Sequence, residues 1–260
     1  MSFKDLVKKT DLRVLTFDIE NAPNTVYTWG LYDQSVGISQ IKEPGRVFGF
    51  GGKWYDESKP FFYGEGSLTH EEVILKSHAV LNEAYILVSY NGKSFDMKHM
   101  NKEFLGLGLP PVKPSKHIDL LQVVRRKFNL PSRKLDYVAQ FLGLGSKTKH
   151  TGFELWKDCM AGDSKAWALM ERYCKQDVKL TEDVYNAIRP WIPNHPHLGV
   201  WLGSEWVCTN CGTEIDPAKP HEAKAVANVT SYNLYQCVCG HWLRGTVNRN
   251  ESKIRTRSAN

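Results

Sequence analysis

Two acidic residues stand two positions apart in an otherwise apolar segment near the start of the chain. The segment reads Val14-Leu15-Thr16-Phe17-Asp18-Ile19-Glu20. Side chains alternate along a β-strand, so Asp18 and Glu20 project to one face while Phe17 and Ile19 project to the other. Carboxylates roughly 6–7 Å apart along a strand repel each other, and a divalent cation commonly keeps both ionised. The pair predicts a metal site if other segments supply further ligands; the alternative is a strand edge with two solvated acids.

Two later segments offer such ligands. Asp96 lies in a loop that begins at Asn91, directly after a predicted buried strand, and open α/β sheets place ligands in loops at strand ends. Tyr173 and Asp177 are four residues apart on a predicted long helix and therefore share one face. Considered alone, that phenol and carboxylate are an ordinary surface pair of a helix.

The elements that must bring these residues together alternate between strand and helix patterns. Predicted strands cover residues 14–20, 46–55, 60–63, 84–90 and 117–121. Predicted helices cover residues 69–81, 95–104, 120–128, 135–142, 153–160 and 164–188. The first three strands can form an antiparallel meander, and the whole pattern predicts an α/β fold with a mixed sheet flanked by helices.

Composition limits the classes of protein that fit. The chain has 260 residues, 42% of them hydrophobic, which is enough for one sizeable core and a small appended unit. No apolar run approaches membrane-spanning length, and residues 1–10 lack the apolar region of a secretory signal, so we expect a cytoplasmic protein without a membrane partner. A net charge of +6 fits a polyanionic partner without establishing one.

Taken together, the three motifs resemble a known nuclease family. Asp18-x-Glu20, Asn91-Gly92-x-x-Phe95-Asp96 and Tyr173-x-x-x-Asp177, in this order over an α/β pattern, resemble the motifs of the DEDD-type 3′→5′ exonucleases in their tyrosine-bearing branch. That family has the RNase-H-like fold and includes proofreading exonuclease domains. The resemblance covers roughly residues 11–190, and it extends to exonucleases carried by bacteriophages.

The resemblance implies a role for each motif residue. Asp18, Glu20, Asp96 and Asp177 would hold two Mg²⁺ or Mn²⁺ ions, with Asp18 between them. Two such ions about 3.5–4 Å apart stabilise the attacking and leaving oxygens of phosphoryl transfer. Tyr173 would orient the attacking water. Because a phenol ordinarily has a pKa near 10, it stays protonated near neutral pH and acts as a hydrogen-bond donor more readily than as a general base. The implied activity is cleavage of terminal phosphodiesters to nucleoside 5′-monophosphates.

Several neighbouring residues have two interpretations. Asp119 is expected to be structural, and Asn91 either fixes its loop or touches the substrate. Aromatic residues of the loop after the first strand could stack on a terminal base, although packing within the loop is the favoured interpretation: Tyr27, Trp29 and Tyr32. A basic cluster either binds phosphate or forms a solvated face: Arg125, Arg126, Lys127, Arg133 and Lys134. Cys159 and Cys174 are predicted to be buried thiols.

A second, smaller unit is predicted after the helical segment. Residues 1–190 form the predicted exonuclease domain, 191–204 a linker, 205–247 a unit that resembles a zinc ribbon, and 248–260 a basic tail. Four cysteines provide a tetrahedral ligand set for one structural Zn²⁺: Cys208, Cys211, Cys237 and Cys239. The second pair is Cys-x-Cys, one residue shorter than usual, so His241 or His221 could replace one thiolate.

The function of that unit and the choice of nucleic acid stay open. Basic residues near the end of the chain could contact nucleic acid or belong to an unstructured tail: Arg244, Arg249, Lys253, Arg255 and Arg257. The preferred hypothesis is an exonuclease acting on nucleic acid with a free 3′ end, with DNA slightly favoured over RNA. The alternatives are a catalytically inactive nucleic-acid-binding adaptor and a structure-selective endonuclease.

Overall fold

The chain divides into two compact units. The computed structural model describes residues 3–33, 35–148, 151–227, 230–247 and 249. One unit spans Arg13–Trp191, and the other combines the described parts of segments 1–12 and 192–260. The sequence predicts that the first domain starts at residue 1, whereas the described residues 3–12 group with the C-terminal unit.

The secondary structure follows the predicted alternation. The described strands are β1 (Val14–Asn21), β2 (Thr25–Val26), β3 (Ile41–Glu43), β4 (Val47–Trp54), β5 (Phe61–Gly64), β6 (Ile86–Ser89), β7 (Lys116–Asp119), β8 (Lys224–Ala227), β9 (Thr230–Gln236) and β10 (Trp242–Arg244). The described helices are α1 (Phe3–Lys9), α2 (His70–Glu83), α3 (Asp96–Gly106), α4 (Leu120–Lys127), α5 (Leu135–Phe141), α6 (Phe153–Met160), α7 (Ser164–Ile188) and α8 (Gly199–Leu202). Across the described residues, the helices are too short or too polar to span a bilayer.

A five-stranded mixed sheet forms the centre of the larger unit. Its strand order is β5-β4-β1-β6-β7. Strands β1, β4 and β5 form the predicted antiparallel meander, while β6 and β7 run parallel to β1. Strand β1 is therefore central, and the predicted fold class, a mixed sheet flanked by helices, is confirmed.

Helices cover both faces of the sheet. On one face, residues of α2 and α3 such as Ile74 and Met100 pack with Phe17 and Ile19 of β1. On the other face, Met170 and Tyr173 of α7 pack with Leu155 of α6 and Phe48 of β4. Because Phe17 and Ile19 point into the first cluster, the alternate positions of β1 face the side covered by α7.

Local signals in the sequence fix the ends of the helices. Thr69 caps α2 through a capping box, in which its side chain accepts from the Glu72 N–H and the Glu72 carboxylate accepts from the Thr69 N–H. Asp163 caps α7 by accepting from two backbone N–H groups. Helix α7 ends at Ile188, as predicted, and is followed by a 3₁₀ turn at Arg189–Trp191 that contains the helix-breaking Pro190.

Close contacts hold α7 against the sheet. Lys53 of β4 and Glu182 of α7 form a buried ion pair at 2.8 Å. About two turns before Glu182, the helix passes over Gly51, where an added Cβ would lie 2.6 Å from the Cys174 sulfur. The absence of a side chain at Gly51 therefore permits the close approach of the helix that carries Tyr173 and Asp177.

The smaller unit contains a three-stranded antiparallel sheet with strand order β10-β9-β8. The segment predicted as a linker, residues 191–204, contains α8 and the buried residues Ile192 and Leu198. On the sheet, the Arg244 guanidinium lies 4.5 Å from the centre of the Tyr232 ring. Most of the predicted basic tail, Asn248 and residues 250–260, lies outside the described residues.

Candidate active site and candidate metal centre

The first acidic motif lies on the central strand. Asp18 and Glu20 alternate with the core residues Phe17 and Ile19 and so share the face of β1 that α7 covers. Glu20 is only 5% exposed. Opposite Asp18, the register of β4 places Gly51. The expected projection of both carboxylates to one side of the strand is what the structure has.

Asp96 reaches the same place from the next strand. It is the first residue of α3, after the loop that leaves β6 at its carboxyl end, and it is buried. Its Oδ1 accepts a hydrogen bond of 3.3 Å from the backbone N–H of Ile19, which lies between Asp18 and Glu20. This bond joins the second motif directly to the first.

Helix α7 contributes the third motif. Asp177 is 1% exposed and Tyr173 is 9% exposed, so the pair is not a solvated surface pair. The Nζ atom of Lys147 donates to Asp177 Oδ2 at 2.5 Å and to the Tyr173 hydroxyl oxygen at 3.3 Å. The Tyr173 ring also packs edge-on against Trp156 of α6. One lysine thus ties together the two residues of this motif.

Burial raises the pKa values of three of the four carboxylates, and for Asp18 and Glu20 mutual repulsion raises them further. Burial, then the charges of Asp96, Glu20 and Asp177, raise the pKa of Asp18 well above its ordinary value. Burial and the charge of Asp177 raise the pKa of Glu20 to about 8. For Asp96, burial raises the pKa to about 6, against hydrogen bonds from backbone N–H groups that favour the ionised form.

This donor set fits divalent metal ions. Buried carboxylates that repel one another gain most from a nearby cation, and carboxylate oxygens are the ligands that Mg²⁺ and Mn²⁺ prefer. Lys147 supplies a single positive charge against four acids, and it lowers the pKa of Asp18 and of Glu20. Asp18, Glu20, Asp96 and Asp177 can therefore hold metal ions at this site.

Tyr173 is held in its protonated form. Burial, followed by the charges of Asp177, Glu20 and Asp18, raises the pKa of the Tyr173 phenol far above its ordinary value. At neutral pH the hydroxyl therefore keeps its proton and can orient a water molecule rather than abstract a proton from it.

Two site residues have no signal in the sequence. Lys147 lies in an irregular segment after α5, and no spacing connects it with the motifs. Cys174 is buried, as predicted for a structural thiol, but its sulfur lies within 4.8 Å of carboxylate oxygens of both Asp18 and Glu20. Lys147 and Cys174 differ from other lysines and cysteines because the fold brings them close to the acids, and no sequence pattern indicates that proximity.

Asp119 organises the loop that carries the second motif. Its Oδ1 accepts from the N–H groups of Leu121 and Asn91, each at 3.0 Å, and its Oδ2 accepts from Lys93 at 3.2 Å. Asn91 itself has a φ of 73°, in the left-handed region that asparagine tolerates better than most residues. The contacts give Asp119 the expected structural role. They involve only the backbone of Asn91, which also lines the cavity beside Asp18, so both interpretations of its side chain stay predictions.

The basic cluster lies partly beside the acids. Arg125, Arg133 and Lys134 line a cavity of about 670 Å³ together with Asp18 and Lys147. The hydroxyl of Tyr90, another lining residue, donates to the backbone oxygen of Arg133. Basic residues therefore outnumber the acids Asp18 and Asp136 in this lining, which does not include Arg126 and Lys127, and such an excess of positive charge suits a phosphate backbone.

The loop aromatics do not pack as favoured. Tyr27, Trp29 and Tyr32 are 66%, 100% and 84% exposed, in a segment that follows β2. The interpretation of plain loop packing is therefore wrong for Trp29, and Tyr27 and Tyr32 also keep most of their surface exposed.

The four cysteines of the smaller unit converge. The sulfurs of Cys208 and Cys239 are 3.7 Å apart, those of Cys211 and Cys237 are 3.5 Å apart, and all four lie within 4.8 Å of one another. Tetrahedral zinc with Zn–S bonds of about 2.3 Å separates its sulfurs by roughly 3.8 Å. The short Cys-x-Cys pair thus supplies two sulfurs to a site that fits one Zn²⁺.

Neither histidine considered as a replacement is needed. The Nε2 atom of His241 lies 3.1 Å from the Thr209 hydroxyl, and the His221 ring packs edge-on against Trp242.

Burial raises the pKa of Cys239, but hydrogen bonds from the Asn210 side chain and the His241 backbone outweigh it and bring the pKa to about 7. A thiol with that pKa readily becomes a metal-binding thiolate.

Comparison with known proteins places this architecture in a large superfamily. The family model RNase_H_2, of the RNase_H superfamily, matches residues 15–189. A DNA polymerase of Desulfurococcus sp. (strain Tok) is 27% identical over 263 residues, covering 85% of this chain and 32% of that protein. A DNA polymerase of Pyrococcus glycovorans is 27% identical over 220 residues, covering 74% and 26%.

A solved structure has a similar fold. The family B DNA polymerase of the hyperthermophilic archaeon Pyrobaculum calidifontis aligns with a TM-score of 0.52 and 21% identity, over 69% of this chain and 25% of that one. The chain spans about a third or less of each of these polymerases.

Proposed function

The chain belongs to the RNase H superfamily, and from this premise we propose that it is a metal-dependent 3′→5′ exonuclease. It would hydrolyse the terminal phosphodiester of a nucleic acid and release nucleoside 5′-monophosphates. The observation that carries the proposal is the convergence of four carboxylates from β1, α3 and α7 beside a protonated tyrosine.

Each residue has a distinct task in this proposal. Asp18, Glu20, Asp96 and Asp177 would hold two Mg²⁺ or Mn²⁺ ions. Such ions, when bound, stabilise the attacking and leaving oxygens of an in-line phosphoryl displacement. The Tyr173 hydroxyl would donate a hydrogen bond that orients the attacking water. Lys147, which donates to both Tyr173 and Asp177, would fix the relative position of the phenol and the carboxylate.

The basic residues beside the acids and the names of the relatives support a nucleic-acid substrate. Arg125, Arg133 and Lys134 beside the acids would bind backbone phosphates of a strand whose 3′ end reaches Asp18. Since the relatives are named DNA polymerases, DNA is the favoured substrate, and the matched part would correspond to their 3′→5′ exonuclease domain.

The smaller unit would be held together by one structural Zn²⁺. Cys208, Cys211, Cys237 and Cys239 would supply four thiolates, and the metal would stabilise a unit with a small core. Elemental analysis of protein purified without chelator should give one zinc per chain. Protein free of zinc that nevertheless keeps its fold would overturn this assignment.

Cleavage of end-labelled oligonucleotides tests the exonuclease. We expect Mg²⁺-dependent shortening from the 3′ end, with nucleoside 5′-monophosphates as products and no cleavage of circular single strands. Asp18→Asn and Asp177→Asn should each reduce the rate by at least about 10³-fold, because each removes a ligand charge. Asp183→Asn is the matched control, since Asp183 lies on another face of α7 and should leave the rate unchanged.

Other outcomes identify the competing functions. Cutting of circular single strands would indicate an endonuclease. Tight nucleic-acid binding without any cleavage, in either metal and on either DNA or RNA, would indicate an inactive adaptor. Both would contradict the proposed activity.

A further inference from the structure

A buried sulfur lies among the acids of the candidate active site. Cys174 follows Tyr173 on α7 and has no exposed surface. The Cys174 Sγ atom and one carboxylate oxygen from each of Asp18 and Glu20 all lie within 4.8 Å of one another. The site therefore offers sulfur as well as oxygen to a metal ion.

The fold aims this sulfur at the acids. Gly51 is the register partner of Asp18 on the neighbouring strand, and its missing Cβ would stand 2.6 Å from the Cys174 sulfur. The side chain therefore occupies the space that a residue larger than glycine would fill, directly beside Asp18. The Lys53–Glu182 ion pair holds α7 to β4 about two turns further along the helix.

The types of ligand atom determine which metal ions this site would bind most strongly. Mg²⁺ and Mn²⁺ prefer oxygen, whereas Zn²⁺ and Cd²⁺ bind thiolates strongly. Tetrahedral zinc bound to oxygen and sulfur separates its ligand atoms by roughly 3.3–3.8 Å. An approach of the three atoms by up to about 1.5 Å would therefore complete such a site, with the thiol proton displaced by the ion and released to solvent.

We propose that Asp18, Glu20 and Cys174 form a mixed oxygen–sulfur site that captures a thiophilic divalent cation, Zn²⁺ in the cell. This inference rests on the proposed function in one respect: an ion held there occupies Asp18 and Glu20 and so blocks the ions needed for cleavage. The site would make the enzyme sensitive to zinc through a residue that performs no step of the reaction.

Titration with Cd²⁺ tests the site without relying on activity. Cadmium bound to a thiolate absorbs in the ultraviolet, and the four-cysteine cluster of the smaller unit gives the same contribution in all variants. The wild type should show an additional absorbance that is absent in Cys174→Ser and in Cys174→Ala. Both variants should bind this cadmium at least about tenfold more weakly by calorimetry. Cys159→Ser, which alters another buried thiol of the same unit, is the control and should keep the signal.

The outcomes separate this inference from the proposed function. Equal absorbance and equal cadmium affinity in the wild type and the folded Cys174 variants would overturn the mixed site, even if Mg²⁺-dependent cleavage is observed. Loss of the signal in both Cys174 variants supports the site, even if no nucleic acid is cleaved, and in that case the proposed nuclease activity alone fails.

Discussion

At the scale of single residues, the acids are predictable from the sequence and their supporting groups are not. Asp18 and Glu20 belong to a strand pattern, and Tyr173 and Asp177 to a helical spacing, so each motif carries its own geometric signal. Lys147 has no such signal, because its contacts with Tyr173 and Asp177 span 26 and 30 residues of chain. Cys174 is predictable as a buried thiol, but its closeness to Asp18 depends on the packing of α7 over Gly51.

Replacing Lys147 tests its role in holding the third motif. Lys147→Met removes both hydrogen bonds and the positive charge beside Asp177, so we expect the cleavage rate to fall by about 10–100-fold. Lys175→Met is the control, because Lys175 pairs with Glu171 on the same helix and should leave the rate within about twofold of the wild type. A Lys147→Met enzyme as fast as the control would remove Lys147 from the site.

His117 gives a prediction about stability and pH. Burial, and then the charge of Lys93, lower the pKa of His117 to about 4, and its Nε2 lies 2.7 Å from the Ser89 hydroxyl. The folded protein therefore favours the neutral ring. The resulting contribution to the free energy of unfolding is fully present above pH 6.5, the ordinary pKa of histidine in an unfolded chain. It is lost as the pH falls from 6.5 to 4, because the unfolded chain takes up the proton first.

His117→Gln should remove that dependence. Between pH 7 and pH 4, the free energy of unfolding of the wild type should fall by about 3 kcal/mol more than that of the variant. Urea denaturation at a series of pH values measures both curves. Parallel curves over this range would show that His117 titrates normally in the folded protein.

At the scale of elements, strong local signals set the boundaries well. The capping box at Thr69 marks the start of α2, which runs two residues beyond its predicted end at residue 81. The apolar periodicity of α7 gives both of its ends, and the alternation in β1 gives the central strand. The contribution of Gly51 and Gly52 is harder to anticipate. In a sequence they weaken a strand, whereas in the structure β4 is fully buried and Gly51 lets α7 approach.

Gly51→Ala tests this close approach. The added Cβ would lie 2.6 Å from the Cys174 sulfur and 3.1 Å from a methyl carbon of Val178, so we expect a loss of about 1–3 kcal/mol in the free energy of unfolding. Gly106→Ala, at the end of α3 with no atom within 4 Å of the new Cβ, is the matched control and should be neutral or stabilising by up to about 1 kcal/mol. Equal stabilities of the two variants in urea would contradict the packing described for α7.

At the scale of the whole molecule, the chain forms two units that differ in how they are stabilised. The larger unit has extensive hydrophobic clusters on both faces of its sheet, whereas the smaller unit has a three-stranded sheet and four converging sulfurs. The cysteine spacing predicts the second unit. The grouping of α1 with that unit is not predictable, because a short basic helix has no pattern that identifies its partner.

Removal of zinc should therefore affect the units unequally. Cys211→Ser, or treatment with a strong chelator, should lower the unfolding temperature of the smaller unit and leave that of the larger unit within a few degrees. Scanning calorimetry separates the two transitions, and Cys159→Ser serves as a control that keeps one zinc per chain. A common shift of both transitions would show that the metal does not act on the smaller unit alone.

We propose that Asp18, Glu20, Asp96 and Asp177 bind divalent cations at one point between β1 and α7. Diffraction from crystals soaked in Mn²⁺, with anomalous scattering recorded for manganese, tests it directly. We expect anomalous peaks within bonding distance of all four carboxylates. Lys147 would then either leave Asp177 or contact it together with a manganese ion. The absence of any manganese peak touching both Asp18 and Asp177 in fully soaked crystals would contradict the claim.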